Sequence, residues 1–160
     1  MVSFERLREL FDYRADGNLV RKIALSRSSK IGEPIGFSDT LGYRYASIGS
    51  KTYPLHRLIW AWHGLESAEE LDHINRIRDD NRIENLRAAN CNQNRWNKGI
   101  QSNNTTGVKG VCWKKDMNAY CVRIGVNKKR LHVGYFDDLE LAELVAAEAR
   151  EKYHGAFAHY

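Results

Sequence analysis

The chain is short of everything that staples or anchors a protein from outside its own core. Its three cysteines, Cys91, Cys112 and Cys121, are odd in number and form no C-x-x-C pair. Neither a disulfide framework nor a cysteine zinc knuckle is therefore expected, and free thiols in a reducing compartment are the plain reading. No apolar run approaches the roughly 20 residues that cross a bilayer. The N-terminal Met1-Val2-Ser3-Phe4-Glu5-Arg6 lacks the long apolar stretch of a signal peptide. A soluble protein of the cytoplasm is expected, and the lack of an RNP-like aromatic motif argues against an RNA-binding module.

What is present is charge, unevenly spread. With 160 residues, 42% of them hydrophobic, the chain suffices for one ordinary domain or two small ones with modest cores, and two modules are expected. The net charge of +5 and an isoelectric point near 9.2 fit a polyanionic partner, although such a surplus is common in other proteins too. The distribution says more. From Lys109 to Arg130 there are seven Lys or Arg against the single acid Asp116, and from Asp137 to Glu151 six acids oppose Arg150. One face of the second half is basic and another acidic.

Taken in order, Phe4, Leu7, Leu10 and Phe11 have helical spacing, and Asp16-Gly17 between Tyr13 and Leu19-Val20 is a hairpin signal. The Ser-rich basic stretch from Arg21 to Lys30 reads as a surface loop. A second hairpin turning at Gly49-Ser50 is expected between Gly42 and Tyr53. Leu55, Leu58, Ile59 and Trp62 then form a helical stripe closed by Gly64, with Trp60 and Trp62 read as core. Leu71 to Ile74 is strand-like, Arg76 to Arg82 is a charged loop, and Ile83 to Leu86 returns to the core. Asn90 with Gln93 has the pattern of a capping box and predicts a helix over Cys91 to Lys98.

The polar stretch 99–107 is the best linker candidate and sets the expected division: a first module at 1–98, a linker at 99–107 and a second module at 108–160. Beyond it, Val108 to Trp113, Ala119 to Val126 and Arg130 to Phe136 predict an antiparallel meander. Asp137 with Glu140 opens a helix whose apolar stripe is Leu141, Ala142, Val145, Ala146, Ala149 and Tyr153, ending at Gly155. The fold class is thus α+β, with a three-stranded antiparallel sheet backed by one helix at the C-terminal end.

Asp72-His73 is the pair with chemistry in it. Hydrolysing a phosphodiester needs a nucleophile, a base to deprotonate it and positive charge for the departing oxyanion. An imidazole titrates near neutrality and suits the base. On a strand, Asp72 projects to the side opposite His73 and can hold a cation there. Carboxylate and amide oxygens without a thiolate favour Mg²⁺ or Mn²⁺ over structural zinc.

The order His56-Arg57-Leu58-Ile59, Asp72-His73-Ile74-Asn75, Asp80-Asn81-Arg82-Ile83-Glu84-Asn85-Leu86-Arg87 and Asn94 closely resembles the HNH endonuclease family, in its phage and intron homing branch. The resemblance covers roughly Tyr43 to Asn97 and implies a ββα-metal core. It further implies that His73 is the general base, that Asn85 orients the imidazole, and that Asp72 and Asn94 bind one divalent metal. Asn85 alternatively caps its own turn. His56 either contacts a phosphate or water or is a structural group. Relatives often carry Gly-Asn or Gly-Asp where this chain has Arg76-Ile77, so a differently shaped turn or an extra phosphate contact is expected there.

Gly107 to Trp113, Tyr120-Cys121-Val122-Arg123-Ile124, and His132-Val133-Gly134-Tyr135-Phe136-Asp137 with the alanine-rich helix look like an AP2 DNA-binding domain. That resemblance implies a sheet lying in the DNA major groove. Lys109, Trp113, Lys114, Lys115, Arg123, Lys128, Lys129 and Arg130 are the residues expected at DNA, with Lys128 and Lys129 on phosphate. Trp113 either stacks on sugar or closes the sheet. A metal-dependent endonuclease acting on double-stranded DNA, as a monomer or a DNA-dependent dimer and encoded by a phage in a bacterial host, is the expectation. The rival is a sequence-specific DNA-binding regulator with an inactive HNH fold.

Overall fold

The computed structural model describes residues 2–24 and 29–159, so the middle of the basic loop expected between Arg21 and Lys30 lies outside the described residues. The chain forms two compact units, Met1–Ala89 and Asn90–Tyr160. Both mix helices with small antiparallel sheets. Among the described residues no helix is long and apolar enough to cross a membrane.

In the first unit, α1 (Phe4–Leu10) begins where the Ser3 side chain accepts the Arg6 N–H, and it buries Leu7 and Leu10. The hairpin of β1 (Phe11–Arg14) and β2 (Asn18–Arg21) follows, turning at Gly17 with φ 82°. A second sheet has the order β3 (Phe37–Ser38), β4 (Arg44–Ile48), β5 (Lys51–Pro54), with Gly49-Ser50 as the β4–β5 turn. The hydrophobic period then changes from two to helical. Helix α2 (Leu55–Trp62) accordingly sends Leu55, Leu58 and Ile59 into a core shared with Leu7, Leu10, Phe11, Leu19, Ile35, Ala46 and Leu86. Trp60 and Trp62 pack half-buried against that core and donate their indole N–H groups to the carbonyls of Glu66 (2.8 Å) and Phe11 (2.9 Å). Arg57 donates to the carbonyls of Ala68 and Glu69 and so pins the connector to α2.

That connector enters β6 (Glu70–His73), which pairs with β7 (Leu86–Ala89); a 3-10 turn, Ile83–Asn85, precedes β7. The β1–β2 hairpin supports the loop between these strands. The Tyr13 hydroxyl accepts the Ile83 N–H at 3.0 Å. A Cβ on Gly17 would stand 2.6 Å from the Arg82 nitrogen and 2.8 Å from the Asn81 carbonyl carbon. Arg76 takes φ 65°. The chain therefore makes there a turn of the kind glycine adopts freely, and a side chain does so at a cost.

The second unit opens with α3 (Cys91–Asn97) behind the expected capping box of Asn90 and Gln93. Its sheet has the order β10 (Lys129–Phe136), β9 (Ala119–Val126), β8 (Val111–Lys114), all antiparallel, with α4 (Leu139–His154) packed on one face. The cap of α4 is Asp138, one residue later than expected. Its buried side is Ala142, Ala146 and Ala149 with Arg150 and His154, whereas Leu141 and Tyr153 of the expected stripe are 48% and 41% exposed. Small alanines bring helix and sheet together so closely that a narrow stripe suffices.

Helix α3 is tied to this unit. Trp96 stacks on His154 with centroids 4.4 Å apart, and Lys109 Nζ donates to the carbonyls of Trp96 (2.5 Å) and Lys98 (2.6 Å). The stretch 99–107 lies within the same unit, where Asn104 accepts from the N–H groups of Thr106 and Gly107 and donates to the carbonyls of Val108 and Val111.

Gly17→Ala combines a positive φ with a backbone clash and should destabilise the first unit by roughly 1–3 kcal/mol. Urea unfolding checks this, and an unchanged midpoint would mean that the hairpin does not press on the loop.

Candidate active site

The strand pair β6–β7 carries the functional side chains because its register sets Asp72 opposite Arg87 and His73 opposite Leu86. Asp72 and His73 are 4% and 6% exposed. Buried polar groups of this depth must be partnered, and both are. Arg87 donates to Asp72 Oδ2 from Nε at 2.8 Å and from Nη2 at 2.7 Å. His73 Nε2 lies 3.0 Å from Asn81 Oδ1, and Asn81 is fully buried. An amide oxygen in that position accepts from Nε2 in the tautomer that carries the ring proton there.

Asn85 works on the loop. Its Oδ1 accepts the Asn75 N–H at 3.0 Å, and its Nδ2 donates to Asn75 Oδ1 (2.9 Å) and to the Asp80 carbonyl (2.7 Å). The hydrogen bond to the imidazole that Asn85 was expected to make is made at Nε2 by Asn81 instead, because the amide of Asn85 closes the turn between β6 and the 3-10 segment. Asp80 accepts Nε and Nη2 of Arg82 at 2.8 and 2.7 Å. That guanidinium, with the amide of Asn75, holds the Asp80 carboxyl well below the usual carboxylate range.

His56, on α2, stands edge-on to His73 with ring centroids 5.2 Å apart, and Tyr43 lies 6.1 Å and 6.2 Å from the two imidazoles. Arg78 covers Tyr43 at 5.1 Å. The Nδ1 of His56 is buried with no hydrogen-bond partner among the described residues. Burial first, then the neighbouring His73 and Arg57, push the His56 pKa down to about 4. The ring is thus neutral at physiological pH, with one nitrogen unused. Asn94 sits on α3, in the second unit.

Asn81, Arg87 and Tyr43 carry geometry that sequence reasoning did not assign. Asn81 lay inside the quoted motif, four residues before Asn85. Arg87 was visible only as a cross-strand partner once a register was known.

Residues 53–96 match the family described as HNH endonuclease. The chain is also 30% identical over 92 residues to Protein 3.8 of Escherichia phage T7, an alignment covering 56% of this chain and 74% of that one. The chain belongs to the HNH endonuclease family. No solved structure matches it significantly.

An HNH domain implies a nuclease with DNA as substrate, and HNH nucleases generally use a divalent metal ion. Among the described residues no three His, Cys, Asp or Glu side chains gather into a metal-holding group, so amide oxygens would have to complete any ligand set. Asp72 offers such an ion hard carboxylate oxygens, and the Arg87 guanidinium on Oδ2 shows that a cation is accommodated beside it.

Because the folded-state pKa of His56 lies below that of the unfolded chain, the folded state binds fewer protons between about 6.5 and about 4. Stability is therefore complete above the unfolded value and falls as pH drops through that window. Replacing the ring with an uncharged amide, His56→Gln, should flatten the fall in melting temperature between pH 6.5 and 4 relative to wild type; parallel pH curves would refute the assignment.

Proposed function

We propose that the chain is a two-module, metal-dependent DNA endonuclease of the homing or phage free-standing type. Its catalytic module spans 1–98, its connector 99–107 and an AP2-like DNA-binding module 108–160. The carrying observation is the buried His73 imidazole, whose Nε2 lies 3.0 Å from Asn81 Oδ1 beside an ion-paired Asp72. In this reading His73 Nδ1 takes the proton of the attacking water as the new phosphorus–oxygen bond forms and the 3′ oxygen departs. Asn81 fixes the tautomer, and Asn85 holds the loop that presents Asn81. The neutral His56, with its unpartnered Nδ1, is suited to a water or a phosphate oxygen. Asp72 is the residue of the first unit that would hold Mg²⁺ or Mn²⁺, which when bound supplies positive charge to the phosphate and the leaving oxygen. The likeness to a phage T7 protein fits a phage-encoded enzyme.

Strand alternation supports DNA recognition by the sheet face opposite α4. Val111 and Val122, paired in register, lie in the α4 core, so Cys112 and Arg123 point the other way, together with Arg130, which pairs with Gly125. Lys114 shares that alternation, and Lys115 follows it in the turn. Lys128 has φ 64° and Lys129 begins β10, placing both ammonium groups at a hairpin tip suited to phosphate.

Two residues fare differently. Trp113 packs edge-on against Tyr120 at 4.7 Å, on the side of the sheet that faces α4, which favours closing the sheet over stacking on sugar. Lys109 spends its ammonium on two carbonyls and is better read as a brace.

Within the second unit a cleft of about 730 Å³ joins Arg123 and Arg130 to Arg95 and Lys98, and no carboxylate is among the described residues that line it. With Lys109, five cations and no acid line it, which suits a phosphate backbone, so Arg95 and Lys98 extend the proposed interface.

Supercoiled plasmid incubated with Mg²⁺ or Mn²⁺ should be nicked by the wild type and left intact by His73→Ala. Asn81→Ala should retain folding and DNA binding but slow cleavage by about 10- to 100-fold, as loss of an orienting partner does. Binding without nicking, across metals and DNAs, would leave the regulator as the better account. For recognition, Arg123→Ala should cost about 1–3 kcal/mol of binding and relax sequence preference, whereas Lys98→Ala should weaken all sequences alike and lower the salt slope by about 1. Filter binding across a salt series separates these outcomes, and unchanged affinities would remove both residues from the interface.

A further inference from the structure

The carboxylate of the site already has a cation. Asp72 and Arg87 face each other across β6–β7 with side chains only 5% and 16% exposed, and two guanidinium nitrogens converge on the single oxygen Oδ2. A carboxylate at that depth needs a compensating positive charge at all times, since an uncompensated buried charge is strongly destabilising. A divalent ion meets the same need, but it repels a guanidinium held against the same oxygen. The two cations are therefore competitors for one carboxylate.

We infer that Arg87 is a stand-in cation: a positioning residue that neutralises Asp72 and keeps it in place while no metal is bound, and yields Oδ2 when a metal arrives. The inference rests on the reading of Asp72 as a metal ligand. Competition of this kind sets the apparent metal affinity, because the metal meets a competent carboxylate only for the fraction of time that the guanidinium releases it. It also protects the small first unit from the consequence of losing its metal. An arginine that merely braced the sheet would stabilise the fold without touching metal affinity, and one that assisted the ligand would strengthen metal binding. The stand-in role alone predicts that removing Arg87 tightens metal binding while weakening the metal-free protein.

The test uses the full chain as wild type, Arg87→Met, Arg87→Lys and Asp72→Asn. Thermal unfolding is followed in EDTA and in Mn²⁺, and Mn²⁺ affinity is measured by titration calorimetry. Arg87→Met should melt several degrees lower in EDTA, recover most of the loss on addition of Mn²⁺, and bind Mn²⁺ about tenfold more tightly, the tax expected of a competitor that holds the ligand nine-tenths of the time. Arg87→Lys, which keeps the charge but loses the fork, should lie between Arg87→Met and wild type, and it carries the comparison if Arg87→Met fails to fold without metal. Wild-type or weaker Mn²⁺ affinity in the folded Arg87 variants overturns the inference. If Asp72→Asn loses Mn²⁺ while the Arg87 variants gain nothing, the ligand reading stands and the inference alone falls. If Asp72→Asn binds Mn²⁺ as wild type does, the ligand reading falls and takes the inference with it.

Discussion

The requirement that no buried polar group be left without a partner shapes the first unit more than any other constraint. Asp72, His73, Asn81 and Asn85 are all nearly inaccessible, in a unit whose apolar core is modest. Each such group left alone would cost about 1–3 kcal/mol, more if charged. The partners found for them are mutual: Arg87 for Asp72, Asn81 for His73, Asn75 and the Asp80 carbonyl for Asn85. Satisfying the four residues and aiming the imidazole are thus one act. Two atoms of the first unit escape the rule, His56 Nδ1 and Asn81 Nδ2, each buried with no partner among the described residues. The oxygen of the same Asn81 amide lies 3.0 Å from His73 Nε2.

The rest of the unit can be understood from the loop outward. A loop of charged and amide residues between β6 and β7 has little apolar content to hold it, so its shape must be imposed by neighbours. The β1–β2 hairpin imposes it from one side, with the Tyr13 hydroxyl on Ile83 and the bare Cα of Gly17 against Asn81 and Arg82. Asp80 and Arg82 lock it from within. Arg78 reaches the Leu41 carbonyl at 2.7 Å and covers Tyr43, which brings the β3–β4 connection to the imidazole pair. Residues far from the HNH motif in sequence are in this way part of the geometry at His73.

How much of this was legible in advance follows from the range of each signal. The α+β character, the helices at Phe4–Leu10, Leu55–Trp62 and Cys91–Asn97, and the antiparallel strands beyond Val111 were readable because period, capping and turn residues are local. The Asn90–Gln93 box needed only four residues to declare itself. The stripe on α4 was misread at Leu141 and Tyr153 because the buried side is set by what the sheet presents. A sheet that accepts alanine so closely leaves larger residues at the flanks. Pairings across dozens of residues, such as Tyr13 with Ile83, leave no local trace. Nor did the partner of His73: two asparagines four residues apart in one motif are indistinguishable by type, and only the path of the loop decides which faces the ring.

Arg76 shows the limit of motif comparison from the other direction. Arg76-Ile77 led to the expectation of a differently shaped turn or an extra phosphate contact, and the backbone at Arg76 is left-handed, with φ 65°. The Arg76 N–H bonds to the His73 carbonyl at 3.0 Å, a contact that begins the turn directly after the imidazole. Releasing the positive φ would break that bond and carry Asn75 away from Asn85. The loop therefore holds a conformation that costs an L-residue about 1–2 kcal/mol, alongside the amide clasp of Asn75 and Asn85. The strain at Arg76 is the local cost of the turn that follows the imidazole, and it falls on a residue whose side chain is exposed.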